Sequence, residues 1–184
     1  LRSRILTILG ESGLQNVLQI LQTKLRDPDY SVRKTILDIL DFKHFHNNAG
    51  TEMLLNLLKD SDSSIVLLTV DKLKNRDHPL IINNLTKLLS SKVEEIRIAA
   101  HNAIALVTRR KYLTSFDKMS EESKRAIGLS LIKMDPSFIE DITRDLSASD
   151  QRTRILAAKI LEVLCDQIPP ELKTHLIVAI QDPD

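Results

Sequence analysis

Leu25-Arg26-Asp27-Pro28-Asp29-Tyr30-Ser31-Val32-Arg33 is the stretch whose reading decides the fold. Weaker copies of it begin at Leu58, Leu89 and Leu146, and a fifth, starting at Ile180, meets the end of the chain. Each complete copy has a β-branched residue seven places after its first apolar residue: Val32, Ile65, Ile96 and Thr153. In three of the four, arginine follows: Arg33, Arg97 and Arg154. A phrase recurring every thirty-odd residues marks a stacked array, in which each unit covers the apolar face of its neighbour.

The sequence around each copy reads as helix, turn, helix. Before the first, Leu14, Val17, Leu18, Leu21 and Leu25 recur at three- and four-residue steps, one apolar helical face. Asp27-Pro28-Asp29 turns the chain, with Asp29 placed to cap the next helix. Val32, Ile36, Leu37 and Leu40 give that helix its face. The same reading predicts helices over 53–58, 65–73, about 79–89 and 93–107. Residues 109–135 are irregular: the spacing between copies, thirty-three then thirty-one, jumps to fifty-seven. Here Tyr112 to Phe116 reads as a stunted first helix. Ser120 is placed to cap a second, faced by Ala126, Ile127, Leu131 and Met134. Pro136 opens a helix to about Leu146, 150–164 is its partner, and Pro169-Pro170 begins a last helix reaching Ile180.

The expectation is an all-α chain: a single α-solenoid, a right-handed superhelix of about five antiparallel helix pairs with partial repeats at both ends. Its segments are 1–10, the end of a preceding repeat; regular repeats at 13–41, 50–75 and 78–108; a degenerate repeat at 109–135; a regular repeat at 136–166; and a truncated one at 169–184. Asp182-Pro183-Asp184 spells the same turn as Asp27-Pro28-Asp29, so the chain reads as an excerpt of a longer array with other domains expected beside it.

Composition agrees. The 184 residues are 42% hydrophobic but only 3% aromatic, without tryptophan, so Leu, Ile, Val and Ala must build the core. Four glycines and six prolines leave few turns for a many-stranded β protein. One cysteine, Cys165, excludes an internal disulfide and suits a reducing, cytoplasmic setting; it reads as a small hydrophobe at a helix end. No apolar run approaches the length of a membrane span. A net charge of +1 gives no general attraction to polyanions.

At Val32-Arg33 and its equivalents the chain resembles the HEAT-repeat family. The resemblance rests on an Asp-Pro turn, then Val/Ile-Arg, then small or apolar residues, then Leu or Ile eight after the Val. Here these are Val32-Arg33 with Leu40, Ile96-Arg97-Ile98-Ala99-Ala100 with Ile104, and Thr153-Arg154-Ile155-Leu156-Ala157-Ala158 with Leu161. The copy at Ile65 keeps Leu73 but has Val66 in place of Arg. The resemblance implies a ladder of Arg and Asp side chains between repeats, expected here from Arg33, Arg97 and Arg154 with Asp27, Asp60 and Asp150. It also implies a concave side lined by second helices. Positions two, six and nine after the Val then face a partner: Lys34, Asp38 and Asp41; Leu67, Asp71 and Lys74; Ile98, Asn102 and Ala105; Ile155, Lys159 and Glu162. Leu67, Ile98 and Ile155 repeat an aliphatic residue at the first offset, with charges of both signs around them, as a protein or peptide groove requires. The competing reading is that the three only pack against a neighbouring repeat.

The expected function is therefore a protein-interaction scaffold or regulatory module with a protein or peptide partner. A nucleic-acid or polyanion-binding array ranks second, on Arg109-Arg110-Lys111 beside Tyr112; cations at a helix end meet its dipole without any ligand. A HEAT-like enzyme or lyase subunit ranks third. Some members of the family hold metal through His-Glu dipeptides, which this chain lacks, and its DNA-repair members use aromatic-rich grooves. His44 and His46, near Asn47, Asn48 and Glu52, read as a polar loop, with His78 in a turn and His101 in a helix. No catalytic residue, metal ligand or cofactor is assigned.

Overall fold

A computed structural model describes residues 1–12 and 16–170. The expected helix start at Leu14, the helix reaching Ile180 and the fifth copy of the phrase lie outside the described residues. Every regular element among those described is helical. They fall into two compact units that divide between Val107 and Thr108, next to the point where the sequence repeat becomes irregular.

The first unit holds α1 (Arg2–Glu11), α2 (Val17–Lys24), α3 (Tyr30–Ile39), α4 (Asn48–Leu57), α5 (Ser63–Leu73), α6 (Ile81–Leu88) and the first part of α7 (Glu94–Ser115). Helix α2 packs on α3, and α4 on α5. Between these pairs, α2 meets α4 and α3 meets α5, while α1 lies against α3. First helices thus touch first helices and second touch second, with α1 in the row of α3 and α5.

The turns are built the same way twice. Asp27 Oδ1 accepts from the Asp29 amide at 3.0 Å, and Asp29 then caps α3 by accepting from the Ser31 amide at 2.9 Å. Asp60 Oδ1 accepts from the Asp62 amide at 2.8 Å, and Asp62 caps α5 through the Ser64 amide at 2.8 Å. The first aspartate closes the turn and the second starts the helix, a cap worth about 1 kcal/mol. Val32, Ile36, Leu37 and Leu40, and likewise Ile65 and Leu73, are buried, which places the repeated Val/Ile and the Leu eight later in the core. Gly10 lets α1 close on α3: a Cβ there would stand 2.6 Å from Ile39 Cγ2.

The second unit contains the end of α7, a 3-10 turn at Phe116–Lys118, α8 (Glu121–Met134), α9 (Phe138–Asp145), α10 (Gln151–Val163) and a 3-10 turn at Cys165–Gln167. The three full helices pack on one another. Their core gathers Tyr112, Phe116, Phe138, Leu131, Ile139, Ile142, Ala157, Ile160, Leu161 and Leu164. Tyr112 meets Phe116 edge-on at 5.3 Å between ring centres and Phe138 at 6.1 Å. Half of the chain's few aromatic residues thus replace the aliphatic packing of the regular copies.

Three expectations are corrected here. Tyr112 to Ser115 is not a separate stunted helix but the continuation of α7, which runs 22 residues. Nothing between Val107 and Tyr112 breaks a helix, since no Gly or Pro falls there. Ala126, expected on the packed face of α8, is exposed, and Gly128 with Leu131 faces inward instead. Cys165, expected as a small hydrophobe at a helix end, does follow the end of α10 but lies exposed in the 3-10 turn there.

Candidate interaction surface

The repeated arginine has one recurrent geometry. Arg33 Nη1 donates to the carbonyl of Asp27 at 2.8 Å, Arg97 Nη1 to that of Ser91 at 2.8 Å, and Arg154 Nη1 to that of Ala148 at 3.1 Å. Each carbonyl stands six residues back, in the turn of the same repeat. The side chain thus ties the start of a second helix to the turn before it, satisfying a carbonyl that no helix satisfies.

Among the described residues, Arg33 also links to the turn of the next repeat. Arg33 Nε donates to Asp60 Oδ2 at 2.7 Å and its Nη2 to Oδ1 at 3.1 Å, a bidentate pair. That bond to Asp60 holds the guanidinium's pKa above its ordinary value, against the opposing effect of burial. Arg2 on α1 donates to both oxygens of Asp27, at 3.1 and 3.4 Å. Asp27 and Asp60 are therefore the rungs, met from the preceding second helix. Arg97 meets the carbonyl of its own turn, and because Ser91 stands where Asp27 and Asp60 stand, that turn offers no aspartate to a preceding helix. Asp150 is not a rung: it caps α10, accepting from the Thr153 amide and hydroxyl at 2.9 Å each, and those bonds lower its pKa. It matches Asp29 and Asp62, the second aspartate of the turn.

Two contributors escaped sequence reasoning. Arg2 sits in a stretch read only as a helix end. Arg76, just past α5, is 4% exposed and donates to the Phe45 carbonyl at 2.9 Å and to the Leu40 carbonyl. Burial pulls its pKa down, partly offset by the Asp41 charge. Neither belongs to the repeated phrase, and each contact spans 25 residues or more.

The positions expected to meet a partner divide by surroundings. In the first unit Lys34 and Asp38 are exposed on α3. Leu67 on α5 is half-buried and its neighbour Leu68 is exposed. Asp71 is exposed and pairs with Lys74 at 2.5 Å; Asp41 pairs with Lys72 at 3.1 Å. On α7, Ile98 is 54% exposed and Asn102 is exposed, but Ala105 is buried and Leu106, at 49%, takes the open position. Steps of four residues overshoot a full turn by roughly 40°, so the open row Ile98, Asn102, Leu106 winds along the helix while Ala105 turns under. In the second unit Ile155 on α10 is 48% exposed, Glu162 is exposed, and Lys159 pairs with Asp117 at 2.8 Å.

The basic cluster is largely committed. Arg109 bonds Asp141 Oδ2 at 2.8 Å, lies 3.6 Å from Asp135 Oδ2, and stands 5.4 Å from the centre of the Phe138 ring. Its hydrogen bond is the main reason the Asp141 carboxyl lies below the usual carboxylate range. Arg110 and Lys111 are half-buried. Of the histidines, His44 contacts the Gly10 carbonyl and His46 that of Asp41, both at 2.9 Å, while His78 Nδ1 accepts from the Leu80 amide at 3.3 Å. His101 is exposed on α7. Among the described residues no three His, Cys, Asp or Glu side chains gather as metal ligands would, and no helix is long and apolar enough to cross a membrane.

No family model matches the chain, and no curated protein matches it. It is similar to a solved crystal structure of an engineered protein, at 20% identity and a TM-score of 0.40, over 99% of this chain and 82% of that one.

Proposed function

We propose that the chain is a HEAT-like α-solenoid module, a right-handed superhelix of about five antiparallel helix pairs, that holds a protein or peptide partner on its second helices. The row-on-row packing of α1, α3 and α5, with α2 against α4, supports the solenoid reading. The observation that carries the partner reading is on α7: Ile98 and Leu106 are about half exposed with Asn102 between them.

Such a row is incomplete in water. Covering the open half of two large aliphatic side chains contributes about 2 kcal/mol, roughly a thirtyfold gain in affinity. Asn102 supplies a donor and an acceptor to fix register, and exposed Glu94, Glu95 and His101 give a polar rim. The lone cysteine suits a cytoplasmic setting. Polyanion binding ranks lower because Arg109 is spent on Asp141 and Phe138.

A photoreactive residue at position 102 tests the reading in cells producing the protein. The expected result is one discrete protein adduct that is lost with Ile98→Glu. Adducts to nucleic acid, or a protein adduct indifferent to Ile98→Glu, would overturn it.

A further inference from the structure

A cavity of about 670 Å³ opens in the first unit between the turn that ends α2 and the turn that ends α4. Its volume lies within the range of small-ligand sites. Leu57, Asp27 and Arg33 form a buried floor, with Asp60 beside them. Exposed Arg26, Lys59, Asn56 and Gln22 stand around the mouth.

The charges of the floor are already answered. Asp27 accepts from Arg2 and from the Asp29 amide, Asp60 accepts from Arg33 and from the Asp62 amide, and the Arg33 guanidinium also serves the Asp27 and Pro28 carbonyls. Neither carboxylate is left to attract a cation. Among the described residues, the Arg26 guanidinium and the Lys59 ammonium have no hydrogen bond or ion pair. The amides of Gln22 and Asn56 are likewise uncommitted. The cavity therefore offers two unspent positive charges, two amides and an apolar strip from Leu25 and Leu57 above a neutralised floor.

We propose that this cavity is an anion site, in which Arg26 and Lys59 hold a carboxylate or phosphoryl group and the amides of Gln22 and Asn56 bind the polar part that carries it. Guanidinium gives paired donors to a planar carboxylate or to phosphoryl oxygens, and the ammonium adds a point charge. The group can arrive on a free small anion or on an acidic side chain of a peptide. Its uncommitted donors come from α2, α4 and the turns that follow them, apart from Ile98 and Leu106, so it stands or falls separately from the partner surface on α7.

The test is a titration of the isotope-labelled 184-residue chain by amide NMR, at fixed ionic strength, with inorganic phosphate in one arm and a capped tripeptide carrying one glutamate in the other. Saturable shifts confined to the amides of 22–28 and 56–61 are expected in at least one arm, and the arm that saturates at lower concentration names the source. Arg26→Ala with Lys59→Ala should weaken that binding at least tenfold while the thermal midpoint holds, since neither side chain is engaged in the fold. Shifts spread over surface cations such as Arg4, Lys87 and Lys118, no saturation in either arm, or binding unchanged in the double variant would overturn the proposal.

Discussion

Arg33 Nε donates to Asp60 Oδ2 at 2.7 Å across 27 residues of chain, joining the second helix of one repeat to the turn of the next. The Asp60 side chain is only 5% exposed, so cutting the pair from the arginine side leaves a largely buried carboxylate without its cation. Arg33→Ala should therefore lower unfolding free energy by about 3 kcal/mol. Arg97→Ala, which removes one bond to the Ser91 carbonyl from a half-buried side chain, should cost about 1 kcal/mol. Urea melts of the two variants check the ratio. Equal losses would mean that the aspartate rung adds nothing to the turn tie.

Tyr112 gives an alkaline signature. Its hydroxyl donates to the Lys124 carbonyl at 3.0 Å inside the aromatic core, and burial pushes its pKa up to about 12. The folded state holds this proton more tightly than the unfolded chain, so the stability it brings is intact below about pH 10 and is lost as pH rises toward 12. With two tyrosines and no tryptophan, phenolate absorbance reports the step directly. Tyr112→Phe should abolish an inflection near pH 12, provided circular dichroism shows the chain still folded there. An unchanged titration curve would contradict the burial.

Asp141 gives the acidic one. Its folded pKa lies below the ordinary carboxylate value near 4, first because Arg109 donates to it. Its contribution is therefore present above about pH 4 and disappears as pH falls through the folded value. Asp141→Asn should cost about 1 kcal/mol at pH 7, since both partners are partly solvated, and the gap from the unaltered chain should close below pH 4. Urea midpoints from pH 7 to 3 measure this, and a gap independent of pH would remove the ion pair as its cause.

Gly10 tests how closely α1 meets α3. Alanine in a helix ordinarily gains about 1 kcal/mol over glycine. Here the added Cβ would stand 2.6 Å from Cγ2 and 2.8 Å from Cγ1 of Ile39, a fully buried β-branched residue that is stiff at χ1. Gly10→Ala should instead cost about 2 kcal/mol by overpacking. A raised thermal midpoint would show that the two helices have room to part.

The features legible in the sequence are those with local causes. The Asp27-Pro28-Asp29 turn, the Asp29 cap and the burial of Val32 and Leu40 depend on residues a few places apart, so period and turn chemistry reveal them. The rung from Arg2 to Asp27, the staple from Arg76 to Phe45 and the pair of Arg109 with Asp141 span 25 to 32 residues and use arginines outside the repeated phrase. Nothing in residue spacing marks them. Asp150 was misread as a rung because its copy of the turn has Ala148 where Asp27 and Asp60 stand, leaving only the capping aspartate. On the candidate surface, Ile98 and Asn102 followed from their offset after Ile96, whereas the exchange of Ala105 for Leu106 depends on how α7 is covered near its middle.

The most direct measurement is the affinity of the photo-crosslinked partner for the intact chain and for the double variant Ile98→Glu, Leu106→Glu, by calorimetry at fixed salt. Both side chains are about half exposed, so glutamate gives up only the covered half of each and the fold should persist. If α7 holds the partner, affinity falls at least thirtyfold while the thermal midpoint stays within a few degrees. Unchanged affinity in a folded double variant would place the partner elsewhere and contradict the proposed function.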